Sequence, residues 1–304
     1  MAMKVRKEGF SNRVFYAFNT VFWVVILIVL LYPLYYVIIA SVSDPDMVAR
    51  GKVFLYPIGF SMEGYQAVLR YRALISSYIN SLIYTVVSVT ISIFITLGAA
   101  YTLSLPKLKG KAFLNFFFVF TMFFSGGLIP TFLTVRDIGR YNTWWVMVIM
   151  NCVSVWNLMV ARTYIQNSIP RELLEASMLD GAGHFQVFFK IILPLSKTII
   201  AVLVVYYGVA KWNDYYTGLV YLKDVELLPL QTVLKDILAS LNASASSFME
   251  AMSVAALQEA EKAKRLAQMA KYCIIVVATG PVVVLYAFMQ KYFEKGVMIG
   301  SLKG

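Results

Sequence analysis

Six apolar stretches, each long enough to cross a bilayer, constrain this chain more than any other feature. They run near 14–40, 74–103, 112–135, 143–164, 197–222 and 266–290. Spanning the hydrocarbon core takes about 20 residues of helix. In lipid every backbone N–H and C=O must find a partner within the protein, and runs this long and continuous meet that demand as helices, not barrel strands. The expected fold is an all-α membrane protein with six transmembrane helices over 14–290, flanked by 1–13 and 291–304. The first run is too long for the roughly 7–15-residue core of a signal peptide, so it reads as an uncleaved helix. The second carries Ser76, Ser77, Asn80, Ser81, Ser88, Ser92 and Thr96, small polar residues suited to helix–helix contacts.

Composition agrees. The chain is 60% hydrophobic and 14% charged, with a mean hydropathy of +0.71, against roughly 45–50% apolar for soluble domains. The net charge of +11 does not indicate nucleic acid, because the basic residues stand beside apolar runs and orient membrane helices instead. Lys4, Arg6, Lys7 and Arg13 precede the first run, Lys107, Lys109 and Lys111 follow the second, and Lys291, Lys295 and Lys303 follow the last. Their density places both ends and the loop 165–196 in the cytoplasm. The loops 41–73 and 223–265 then lie outside. The second of these holds the small, polar run 242–247 and a helix-prone stretch at 251–267.

Cys152 and Cys273 lie within apolar runs and read as small buried residues, with no disulfide framework or zinc spacing. His184, the single histidine, has no neighbouring ligands at metal spacing, so no metal site is expected.

The loop 165–196 is the unusual element. Ser168 can cap a short helix with Pro170 and Glu172 in its first turn. Leu173, Leu174, Ala176, Ser177 and Met178 give that helix an apolar and small surface, and Gly181 and Gly183 end it. A second amphipathic piece carries Phe185, Phe188, Phe189 and Ile192; Pro194 stops it and Ser196 can cap the fifth span. Small residues let a partner's backbone approach, and Glu175 and Asp180 offer carboxylates to its Arg or Lys. Physics alone leaves a second reading open, an amphipathic helix resting at the lipid interface, although such helices favour Lys and Arg on the polar face.

The fifth segment contains Lys211-Trp212-Asn213-Asp214-Tyr215-Tyr216. Polar groups inside a span tend to face a bundle interior or wet cavity, and sugars bind to aromatic faces and to amides and carboxylates. Tyr206, Tyr207, Trp212, Asn213, Asp214 and Tyr215 supply both, with Asn151, Trp156 and Asn157 of the fourth segment as similar candidates. The alternative is an interfacial aromatic belt or inter-subunit packing, with Lys211 and Asp214 at the membrane edge. Gly126-Gly127 reads as a helix break.

Glu175-Ala176-Ser177, three residues, Gly181, nine residues, then Ile191, Ile192, Leu193-Pro194 resembles the signature of permease subunits of binding-protein-dependent ATP-binding-cassette importers. That family's spacing is kept throughout, and Ser177 for a second Ala is the one departure. The resemblance covers nearly the whole chain. It implies the type I importer fold, with a coupling helix between the fourth and fifth spans that seats in a cytoplasmic ATPase. Glu175, Ala176, Ser177, Asp180, Gly181, Gly183, Leu193 and Pro194 would form that contact. The fifth-segment motif and the tail from Gln290 to Gly304 resemble the oligosaccharide, maltose-importer-like group; Phe124-Ser125-Gly126-Gly127-Leu128-Ile129-Pro130 resembles a branch that takes complex or acidic oligosaccharides. The implied partners are a second, homologous permease chain, two ATPase subunits, an extracellular solute-binding protein, the oligosaccharide and membrane lipid. The implied location is a bacterial cell membrane.

Rival classes find little support. There is no Ser/His/Asp order, no metal-ligand cluster and no Gly-x4-Gly-Lys-Ser/Thr phosphate loop, so no catalysis is expected. ATP and Mg would be bound by the partner ATPase, with no cofactor in this chain. An importer of a non-sugar solute stays open. A secondary carrier would need midplane ionisable residues, which the apolar segments nearly lack.

Overall fold

The computed structural model describes the backbone of residues 10–70, 73–249 and 254–301, and the side chains of 12, 14–70, 73–240, 265 and 267–291. Lys4, Arg6, Lys7 and Lys303, the side chains of Arg13 and Lys295, and the 242–247 side chains lie outside these described residues, as does the backbone of 251–253. Every regular element among the described residues is helical. The chain divides into two compact units, Met1–Arg70 with Leu238–Val277, and Tyr71–Ile237 with Ala278–Gly304.

In the first unit, α1 (Phe10–Ser41) leads into α2 (Pro45–Ala49) and α3 (Glu63–Leu69), which pack against the first part of the long closing helix. Asp44 caps α2 by accepting the Asp46 N–H at 2.8 Å and also pairs with Arg265 at 2.7 Å. Gly64 lets α3 approach closely: a Cβ there would stand 2.7 Å from Cys273 Sγ. Along α1, Val14–Ser41 keeps only 6% of its most apolar window buried, which suits a helix facing lipid or another chain.

The second unit holds α4 (Ala73–Ser104), α5 (Lys111–Phe123), α6 (Leu128–Asp137), α7 (Trp144–Ile149), α8 (Val155–Ser168) and α9 (Arg171–Leu179). Next, α10 (His184–Val187), a π turn (Phe188–Ile192) and α11 (Leu193–Leu195) run on as one helix, His184–Leu195. Then come α12 (Lys197–Trp212), α13 (Tyr215–Tyr221), a 3-10 turn (Val225–Leu227) and α14 (Leu230–Met249), the last reaching into the first unit. The expected loop run 242–247 is thus helical. The closing helix, α15 (Val254–Ser301), continues the expected helix-prone stretch into the last span without a break.

The core of this unit is α4 packed against α8 and α12, with Leu97, Ala100, Leu158, Ala161 and Leu203 fully buried. Of the small polar residues of α4, Ser76 is exposed and bonds within its own turn, to the Ala73 carbonyl at 3.0 Å, while a buried stripe of the others does what the sequence suggested. Ser77, Ser81, Ser88, Ser92 and Thr96 are all buried on one helical face, and Ser81, Ser88, Ser92 and Thr96 bond outward, to Leu230, Val148, Cys152 and Tyr207.

Continuity is where the expected spans change. Three helices cross-membrane in length and composition are unbroken: Val14–Ser41, Ala73–Ser104 and Ala267–Lys291. The third expected span is bent by 112° between α5 and α6, and counting each bent helix pair as one span brings the total to five at most among the described residues. The bend follows the Gly126-Gly127 break, where Gly127 adopts φ +81°. The fourth expected span is two helices, α7 and α8, and the fifth is interrupted between α12 and α13. Mean hydropathy reports composition, and a short break among apolar residues leaves it almost unchanged.

Candidate functional site

The break between α7 and α8 organises the first candidate site. Asn151 turns the chain there with φ +57°, a left-handed conformation that Asn tolerates better than most residues. A break within an apolar bundle frees backbone groups that cannot be left unpaired. Side chains from α4 and α12 take them up. Ser88 Oγ donates to the Val148 carbonyl at 3.0 Å, and Lys211 Nζ donates to the Met150 carbonyl at 3.1 Å. The Tyr207 hydroxyl accepts the Ser154 N–H at 3.2 Å and pairs with Thr96 Oγ1 at 2.7 Å.

Lys211 also meets Asp214 Oδ2 at 2.9 Å, with side chains only 6% and 12% exposed. The other Asp214 oxygen, Oδ1, accepts the Thr217 N–H at 3.1 Å and so caps α13. The structure buries this pair inside the unit, because the split between α12 and α13 turns Asp214 back toward Lys211. Ser88, Asn151, Tyr207, Ala210, Lys211 and Asp214 enclose a partly open cavity of about 310 Å³.

The structure therefore gathers Tyr207, Asp214 and Asn151 and separates the other path candidates from them. Trp212 is buried among helices, edge-on to Tyr78 at 5.6 Å, and its Nε1–H donates to the Ala278 carbonyl at 2.8 Å. Tyr206 and Trp156 are exposed, at 50% and 63%. Asn213 is exposed and donates to the Val209 carbonyl at 2.9 Å. Tyr215 is exposed beneath Lys235, whose Nζ lies 4.4 Å from the ring centre. Asn157 is buried, and its backbone N–H reaches the capping Ser154 Oγ at 3.4 Å. Lys211 is the residue that sequence reasoning did not count. Its spacing three residues before Asp214 on an apolar segment was the available signal.

The second candidate site is the loop that ends in α12. Its helix, α9, starts after Pro170 in an extended conformation; Ser168 is the last residue of α8 and does not cap it. At its end Gly181 adopts φ +82°, and the Gly181 and Ala182 N–H groups reach the Met178 and Ser177 carbonyls at 3.1 and 3.0 Å. That is a complete Schellman cap, which needs a residue tolerant of positive φ. Gly183 has φ −73° and begins α10 instead of ending α9. Glu175, Ala176, Asp180, Gly181 and Gly183 are exposed, and Ser177 is half-buried with its hydroxyl on the Leu174 carbonyl. Leu179, which sequence reasoning passed over, projects at 88% exposure beside them. Leu193 and Pro194 close the helix His184–Leu195, so Pro194 sits within it; the chain turns by 80° at Ser196. Ser196 stands at the start of α12, but its hydroxyl caps nothing.

Among the described residues no three His, Cys, Asp or Glu side chains gather as a metal site. His184 Nδ1 lies 3.0 Å from the Tyr101 hydroxyl.

Comparison with known proteins covers the same elements. The profile of the family described as binding-protein-dependent transport system inner membrane component matches residues 56–299. The polygalacturonan/rhamnogalacturonan transport system permease protein YtcP of Bacillus subtilis (strain 168) is 35% identical over 294 residues, covering 97% of this chain and all of that one. Protein LplC of the same organism is 34% identical, over 97% of this chain and 96% of its own length. A chain of the crystal structure of a bacterial ABC transporter that imports the acidic polysaccharide alginate superposes with a TM-score of 0.78 at 30% identity, covering 95% of this chain and 100% of that one.

Proposed function

The chain belongs to the inner-membrane components of binding-protein-dependent transport systems, and from that membership we propose that it is the noncatalytic permease subunit of an ATP-driven importer of oligosaccharides, acidic ones among them. The whole-length likeness to a chain of the alginate importer carries this reading.

In this reading the bent pair α5–α6, the split fourth segment and α12 with α13 count as spans beside the three unbroken helices, making six, and both termini face the cytoplasm. The chain pairs with a second permease chain and two ATPases, which bind ATP and Mg and perform the hydrolysis, and an extracellular binding protein delivers substrate. The exposed surface of α9 around Glu175, Ala176, Asp180 and Gly181, with Leu179 as an apolar knob, seats in the ATPase. Covalent continuity supports the coupling. The loop runs through the helix His184–Leu195 directly into α12, which carries Tyr207 and Lys211 at the cavity. A displacement of α9 thus has a short, helical route to the cavity wall.

The test is co-purification with the native neighbours followed by reconstitution into proteoliposomes with trigalacturonate as substrate. Recovery of an ATPase and a second permease chain, with uptake that requires ATP, is expected. Glu175→Lys should leave the complex assembled and abolish sugar-stimulated ATP turnover. Uptake that proceeds without ATP, or recovery of this chain alone, would overturn the importer assignment.

A further inference from the structure

Lys211 does more than the fold requires of it. To staple the Met150 carbonyl a neutral donor would suffice, as Ser88 shows at Val148. A lysine there brings a charge that must be desolvated and compensated by Asp214, a pairing that seldom improves stability over neutral packing. The charge therefore calls for another use, and its surroundings specify one.

An ammonium has three N–H donors. Two are taken, by the Met150 carbonyl and Asp214 Oδ2. The third has no partner among the described residues, and Lys211 forms part of the cavity wall. Asp214 would not lose its support if Lys211 were shared with a second anion, since its Oδ1 stays bonded to the Thr217 N–H. Asn151 is the other polar group on that wall whose side chain bonds to nothing else among the described residues, and it offers both an amide donor and an acceptor. At about 310 Å³ the cavity is at the small end of sites that hold ligands, about 300 Å³ and upward. That suits one sugar ring at a time.

We propose that Lys211 is a specificity-determining residue whose ammonium, with the Asn151 amide, binds the carboxylate of a uronic acid residue as the substrate passes through this cavity. The proposal rests on the oligosaccharide-importer reading and adds the substrate's charge to it. A lysine already held by two bonds loses little further freedom on binding. A charge-assisted bond made by an ammonium as buried as that of Lys211 is stronger than one at the surface.

Two measurements on the assembled complex separate this proposal from the reading beneath it. Uptake of trigalacturonate by the complete wild-type importer checks the reading. Titration of the same permease complex in nanodiscs, without the binding protein, with trigalacturonate and with its methyl ester, checks Lys211. The wild type should bind the acid at least about tenfold tighter than the ester, the scale of one charge-assisted hydrogen bond. The double variant Lys211→Met/Asp214→Asn, which leaves no unpaired charge, should bring the acid-to-ester affinity ratio to about one, whatever the loss of the Met150 staple costs both ligands alike; Lys211→Arg should keep the preference. If uptake occurs but the double variant retains the preference, or loses acid and ester binding equally, Lys211 is only a backbone staple and the proposal falls alone. If the wild-type complex takes up no trigalacturonate, the acidic-oligosaccharide reading falls and the proposal with it.

Discussion

Replacing Tyr207 by Phe tests whether the broken fourth segment is held from α12. The substitution keeps the ring and removes one oxygen that serves two groups, the Ser154 N–H and Thr96 Oγ1. Thr96 is fully buried and Tyr207 nearly so, so Thr96 is left without a replacement partner, whereas Ser154 is half-buried beside the partly open cavity. A buried polar group left unpaired costs about 1–3 kcal/mol in soluble proteins, while hydrogen bonds inside membrane bundles average about 0.6 and reach about 1.7 kcal/mol. With two groups affected, the expected loss is about 1–2 kcal/mol. Thr96→Val leaves Tyr207 its bond from Ser154 and should cost less, about 0.5 kcal/mol. The two changes share a bond, so the double variant should be more stable than additivity predicts, by about 0.5–1.5 kcal/mol. Reversible unfolding in mixed micelles, followed by circular dichroism against the detergent mole fraction, measures all four species. Additivity within about 0.3 kcal/mol would refute the reasoning. So would a Tyr207→Phe variant as stable as the parent, since the break would then be supported by something other than this hydroxyl.

Gly181→Val should weaken the end of α9 by about 1–2 kcal/mol, because φ +82° is costly for a residue with a Cβ, and sugar-stimulated ATP turnover should fall; Gly181→Asn, which tolerates that conformation, should stay near the parent, and equal activity of all three would remove the Schellman cap from the coupling argument. Cys152 and Cys273 are buried free thiols, so a water-soluble maleimide should label neither in the folded protein and both after unfolding. Rapid labelling of Cys152 alone would show that the chain break at Asn151 is open to water from that side.

What the sequence determined by itself was of two kinds, and both are local. Apolar runs disclose spans because lipid demands some 20 consecutive residues that bury their own backbone polarity. The spacing of Gly181 and Pro194 is legible because each serves its own turn, Gly181 as the positive-φ end of α9 and Pro194 in the last turn of the helix His184–Leu195. The Ser and Thr stripe on α4 was legible for the same reason, as one face of one helix. What only the tertiary structure decided is where those spans stop being helical and which side chains then meet. Composition cannot show that 150–154 leaves the helix, since the side chains that pair with the backbone around that break, Ser88, Tyr207 and Lys211, stand about 50–60 residues away in sequence. Nor could it separate Trp212, turned into the bundle, from Asp214 two residues later, turned back onto Lys211. A buried charge is tolerable only beside its partner, and whether the partner is there depends on how distant helices pack.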